Sequence, residues 1–272
     1  METPNRKTIT ILTILLAVLL ASASINGVFV PDTYARETAS IAAQGVGQDL
    51  VDLILVVPLL ILSLVFWRRG SRAAALIFAG TLFYICYSFF IYGFGIHFNR
   101  VFLIYTFTLG LALYTFVLTL IDLSGLRFEI WFGEKTSTRP PGVFLIVVAA
   151  LFYILWLKDV LPAVLQNTLP AGVTDMNLQV NPVHVLDIGI ALPGLILAAV
   201  LLMRKRRMGY ILASTGLVFI IVLAIALAAM VILTHIRGIG EDPSVALIFA
   251  AMSLLSGLFL FSMLRNLRDS SG

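Results

Sequence analysis

Charged side chains are scarce in this chain: Asp, Glu, Lys and Arg make up 12% of its 272 residues, about half the share of a soluble domain. With 60% hydrophobic residues and a mean hydropathy of +1.05, that scarcity excludes a soluble enzyme, a disordered chain and a disulfide-rich secreted scaffold. Cysteine is nearly absent. The single Cys86 lies inside an apolar run, so it forms no intramolecular disulfide and reads as a small buried hydrophobe. Catalytic signatures are missing as well. The chain has no Walker-type glycine loop, no GxSxG elbow, no GxGxxG after a strand, no HExxH and no paired-cysteine pattern. No lysine stands in the middle of an apolar run, which sets aside a retinal Schiff base. A pI near 9.4 does not point to nucleic acid, because in so apolar a chain the side on which each charge falls matters more than the total.

What the chain has in abundance is long apolar runs. They fall at roughly Thr8–Val30, Leu50–Trp67, Ala73–Gly95, Val101–Ile121, Val143–Leu165, Val183–Met203, Tyr210–Thr234 and Val245–Leu264. Each suffices for a helix to cross a hydrocarbon layer of about 30 Å at about 1.5 Å per residue. The runs are apolar on every face rather than alternating, which favours helices over a barrel. The expected fold is therefore an all-α integral membrane protein with eight transmembrane helices and the lipid bilayer as its principal partner. With the N-terminus inside, fourteen Lys and Arg fall on inner segments and four (Arg36, Arg100, Lys158, Arg237) on outer ones, which places both termini in the cytoplasm. The inner stretch 126–132, aromatic with interspersed charge, suits the headgroup level. The first run, with its basic start and Ala21-Ser22-Ala23, also fits a signal peptide. A fourfold set of helices argues for keeping it.

That set comes from an internal repeat. A shift of 135 positions lays Asp52 on Asp187, Pro58 on Pro193, Arg69 on Arg204 and Arg72 on Arg207. Leu and Ile matches are common in any membrane chain, but an Asp and a Pro matching at one offset ahead of a basic loop are not. The expected organisation is two four-helix repeats, 1–137 and 138–272, parallel because four is even, and related by an axis along the membrane normal. The repeats have diverged: the third run is rich in Phe and Tyr, while the seventh has Phe219 as its only ring. Those rings read either as lipid-facing anchors or as the wall of a groove for a lipid or isoprenoid tail.

Candidate site residues lie on the outer side. Asp49 and Asp52 are three residues apart, as are Asn181, His184 and Asp187 in turn, so each set shares one helix face. Under the repeat offset Asp49 corresponds to His184. Asp49 also fits a helix start, where a carboxylate favours the positive end, and Asn181-Pro182 is a good N-cap and first-turn pair. Asp187 lies beyond the first turn from that cap, where the dipole has faded. Counting from Arg68 and Arg204 puts Asp52 and Asp187 roughly 24–26 Å from the inner rim, at or just inside the outer edge of the hydrocarbon. Acids at that depth usually face the bundle interior and carry function. Pro58 and Pro193 each leave the carbonyl four residues earlier, at Ile54 and Gly189, without its helical donor. A kink with free oxygens beside a carboxylate suits a proton, Na⁺ or a polar substrate group, although a packing kink also accounts for it. His97, His184 and His235 with Asp187 have the ligand types of a Zn²⁺-like site, at no recognised spacing.

Three segments, Gly47–Leu53, Tyr92–Asn99 and Asn181–Ile188, resemble segments recurring in uncharacterised prokaryotic multi-pass membrane proteins. The resemblance spans most of the chain and implies a prokaryotic cell membrane, without an assigned activity or a cofactor. Taken together, the sequence favours a transporter-like or small-ligand- or ion-binding protein with a polar site near the outer face between the repeats. Asp52, Asp187, His184, Asp49 and Asn181 would serve a small polar or amphipathic ligand. The alternatives are a membrane-embedded metal-dependent enzyme acting on a lipid or isoprenoid at the outer leaflet, and a structural or assembly subunit. Oligomeric state is not legible.

Overall fold

A computed structural model describes residues 4–125, 131–132, 136–240, 242–265 and 267. Eight helices in it are long and apolar enough to cross a membrane: α1 Arg6–Phe29, α2 Ala39–Arg68, α3 Arg72–Gly95, α4 Phe102–Gly125, α5 Arg139–Gln166, α6 Pro182–Met203, α7 Arg207–Ile236 and α8 Ser244–Leu264. Their surface shows what solvent they expect. Ile14, Ile54, Leu151, Leu254 and Phe261 are all exposed, a pattern unfavourable in water and ordinary against lipid. Polar side chains are turned inward instead. Thr108, Thr115 and Thr119 of α4 are buried, each donating its hydroxyl to the carbonyl four residues back, which satisfies them within one helix.

Within the first four helices, α1 packs on α2 and α4, and α3 packs on the same two. Within the last four, α5 packs on α6 and α8, and α7 on those two. The two sets meet chiefly along α7, which packs on both α2 and α3; Gly80 of α3 lies directly against Val218 of α7 and leaves no room for a side chain. Phe219 fills the adjoining space edge-on to Phe83 and Tyr87, at 4.9 and 5.1 Å between ring centres. Small residues allow two further close contacts. A Cβ on Gly47 of α2 would stand 2.9 Å from Met230 Cα of α7, and one on Gly95 of α3 would stand 2.6 Å from Pro182 Cγ of α6. Such close approach of backbones is how helices associate where no hydrophobic effect drives them together.

Two helices depart from α geometry at matched places. Asp52–Val56 in α2 and Asp187–Ala191 in α6 are π-helical turns. In each, the residue before the proline donates five back, Val57 N–H to the Asp52 carbonyl and Leu192 N–H to the Asp187 carbonyl. Because Pro58 and Pro193 have no N–H, the carbonyls of Leu53 and Ile188 lose both their four-back and five-back donors. Helix α2 begins eleven residues before the apolar run suggested, at Ala39, capped by Thr38, whose hydroxyl accepts the Ile41 N–H at 3.3 Å. Ser40, Gln44 and Gln48 concealed that first part from an apolarity count. At the termini side, Trp131 lies under the Arg72 guanidinium at 5.1 Å and Phe132 stacks on Tyr210 at 4.5 Å. The rest of the inner stretch expected at the headgroup level, 126–130, lies outside the described residues, as does Glu241.

Candidate functional site

The longer α2 changes the meaning of Asp49. It stands ten residues into the helix rather than at its start, and it is 1% exposed, so the helix dipole does not explain it. Two phenols hold it. Tyr34, at the end of the 3-10 turn Pro31–Tyr34, donates to Oδ2, and Tyr92 of α3 donates to Oδ1 at 3.1 Å. Burial, then the facing Asp49 carboxylate, pushes the Tyr34 phenol well above its ordinary pKa, which keeps it a proton donor. Gly27 of α1 makes the arrangement possible, because any side chain there would run into Asp49 Oδ2. Gly45 likewise gives space to the Tyr34 ring.

One turn further, Asp52 is 0% exposed and accepts from Tyr84 Oη at 2.8 Å through Oδ1. Its Oδ2 has no hydrogen-bond partner. Among the described residues no Lys, Arg or His pairs with either acid; the ion pair found on this side joins Glu37 to His97 Nδ1 at 3.0 Å. Leaving an ionised carboxylate so buried, without a countercharge and with an open oxygen, is expensive.

Asp187 is treated differently. Oδ1 accepts from Tyr87 Oη of α3 at 2.9 Å and Oδ2 from Trp156 Nε1 of α5 at 2.7 Å. Tyr153 of α5 donates to the Ile188 carbonyl at 3.0 Å, supplying the donor that the wide turn and Pro193 removed. Tyr84 and Tyr87, one turn apart on α3, thus serve the two carboxylates of different helix sets. His184 packs its ring on Trp156 at 4.8 Å, and the Asn181 side chain accepts the Val183 N–H at 2.9 Å as an N-cap.

The structure therefore brings Asp49 and Asp52 together with three tyrosines, Tyr34, Tyr84 and Tyr92, and His184 together with Asp187 around Trp156. It leaves His97 with Glu37 and His235 exposed at the end of α7. Among the described residues, no three of His, Cys, Asp and Glu come close enough to share a metal ion. Most rings of α3 face inward rather than toward lipid: Tyr84, Tyr87, Phe89 and Tyr92 are buried, and Phe94 is exposed. A phenol in an apolar helix needs an acceptor, and that need is the sequence signal for Tyr84, Tyr87 and Tyr92.

Away from the termini, a cleft of about 550 Å³ opens between the end of α3 and the segment leading into α6. Phe90, Phe94, Leu178 and Val185 line its apolar wall, with His97 and Gln179 among its polar groups. No family model, curated protein or solved structure matches the chain.

Proposed function

We propose that this protein is a transporter-like, ion- or small-ligand-binding membrane protein whose working site is the buried carboxylate chamber at Asp49 and Asp52. In this reading Asp187 and His184 form its modified counterpart beside the far-side cleft. The observation that carries the proposal is the Asp52 carboxylate, fully buried, with one oxygen unpartnered and no cationic side chain paired to it among the described residues. Intramembrane acids so placed mark ion or proton sites by default. The cleft, with rings along its wall and hydrogen-bonding groups beside them, suits an amphipathic small molecule.

The frame proposed for this site is a pair of parallel four-helix repeats, 1–137 and 138–272, both termini cytoplasmic, in the plasma membrane of a prokaryote. The recurring pattern of helix contacts and the two wide turns 135 residues apart support the repeat. So do the glycine contacts. Gly47 on Met230 and Gly95 on Pro182 become one another under the 135-residue shift, and Gly80 approaches the carbonyl of its own counterpart, Thr215. Contacts that exchange, and one that maps onto itself, are what a twofold axis between α3 and α7 requires. Fourteen basic residues against four support the orientation.

Thermal unfolding of the purified protein across pH, and across chlorides of different monovalent cations, tests the site. Asp52→Asn is expected to abolish the proton- or cation-linked stabilisation while leaving a folded protein, and an unchanged response in that variant contradicts the proposal. Orientation is tested separately in a Cys86→Ser background. Cysteines placed near either terminus should react only with reagent admitted to the cytoplasmic side.

A further inference from the structure

Buried oxygens without partners are not spread evenly through this molecule. In the first four helices three of them belong to one level: Ser24 Oγ of α1, Asp52 Oδ2 of α2 and Ser88 Oγ of α3, at 0%, 0% and 1% exposure. Contacts already described set that level. Gly27 of α1 and Tyr92 of α3 both meet Asp49. Ser24 lies three residues from Gly27, Asp52 three from Asp49 and Ser88 four from Tyr92, each displaced toward the termini side. One helical turn therefore carries all three to the same depth. Helix α1 packs against the wide turn 52–56, and Ser88 lies on α3 one turn from Tyr84, whose phenol donates to Asp52. A serine in a helix ordinarily bonds the carbonyl four residues back; neither of these does. The Leu53 carbonyl adds a further oxygen. It loses its donors to the wide turn and Pro58, and among the described residues no side chain replaces them as Tyr153 does for Ile188.

We infer that these oxygens form a site for a monovalent alkali cation, Na⁺, inside the first four-helix set; the inference rests on the proposed function of Asp52. The donors are all hard oxygens, a carboxylate, two hydroxyls and a freed backbone carbonyl, the combination with which membrane proteins hold Na⁺ at unwound helix segments. Charge selects against a divalent ion. One carboxylate oxygen is free here, both oxygens of Asp49 are taken by tyrosines, and a divalent ion would demand further acids that the described residues do not bring. The second helix set cannot hold the ion in the same way. Asp187 has both oxygens bonded, Ile188 has its donor, and the positions matching Ser24 and Ser88 are Asp159 and Leu223.

Thermal unfolding of the full-length protein in detergent, in NaCl, KCl, CaCl₂ or choline chloride at matched ionic strength, tests the site. A saturable rise in Tm specific to Na⁺ is expected. Ser24→Ala and Ser88→Ala, which leave the carboxylate in place, should each raise the half-saturating Na⁺ by roughly tenfold, and Asp52→Asn should remove the effect. Equal Tm in all four salts overturns the Na⁺ site. If Asp52→Asn then still abolishes a pH-dependent change in Tm, the proposed function of Asp52 stands as a proton site. A Ca²⁺ effect exceeding that of Na⁺, or a Na⁺ effect unmoved by both serine variants, also overturns the site. A Na⁺ effect intact in Asp52→Asn overturns the site and the proposed function together.

Discussion

Asp52 and Asp187 stand 135 residues apart, each opening a π-turn that ends before a proline, each buried, and each reached by a tyrosine of α3. Their second oxygens differ. Asp187 gives its own to Trp156, and the neighbouring carbonyl is closed by Tyr153, whereas Asp52 keeps Oδ2 open. The backbone device is shared and the side chains around it are not. The position matching Tyr84 is Phe219, a ring of the same shape with no donor, and Asp187 compensates by reaching across the boundary between helix sets to Tyr87. A closed carboxylate holds structure together, while an open one is available to a ligand. Under the proposed function, the same wide turn serves packing in one set and binding in the other.

The largest expected effect separates these two roles. Asp52→Asn should remove cation- or proton-linked stabilisation while sparing the fold; Asp187→Asn should lower resistance to denaturation and keep that linkage. If the two variants behave alike, the distinction between them fails. Next come the groups that shape the two surroundings. Tyr84→Phe and Tyr87→Phe each leave a buried carboxylate oxygen without its donor and should cost about 1–3 kcal/mol or more in unfolding measurements. Only Tyr87→Phe should weaken the union of the two helix sets, seen as faster proteolytic separation after a cut in the connection between α4 and α5. Gly27→Ala forces a methyl onto Asp49 Oδ2, and overpacking of this kind costs about 1–3 kcal/mol. The analogous change Gly257→Ala, where no neighbour stands within 4 Å, should be near neutral. The smallest effects are the caps. Thr38→Ala and Asn181→Ala should each cost about 1 kcal/mol and leave the linkage untouched, since both side chains are spent on backbone N–H groups.

Much of this architecture was legible in the sequence, for physical reasons that also explain what was not. Eight runs apolar on every face leave helices as the economical way to satisfy the backbone in lipid. Asp52, Asp187, Pro58 and Pro193 stood out because acids and prolines are conspicuous against Leu and Ile. The first part of α2 was hidden by Ser40, Gln44 and Gln48, and with it the mid-helix position of Asp49. The prolines announced missing donors, but the widening of each turn by one residue, which moves the orphaned carbonyl to Leu53, depends on packing that no local count reveals. Tyr34, Tyr84, Tyr87 and Tyr92 were visible as residues yet not as carboxylate partners, because each bond joins separate elements. Ser24 and Ser88 gave no signal, since an isolated serine in an apolar helix usually bonds its own backbone.

Infrared difference spectroscopy on the reconstituted protein, recorded as choline is exchanged for Na⁺ and again across a pH step, most directly tests the claim that Asp52 is the open carboxylate and Asp187 the closed one. A carboxyl band that changes in the wild type, disappears in Asp52→Asn and persists in Asp187→Asn is the predicted result. A band that survives in Asp52→Asn, or is lost only in Asp187→Asn, would contradict it.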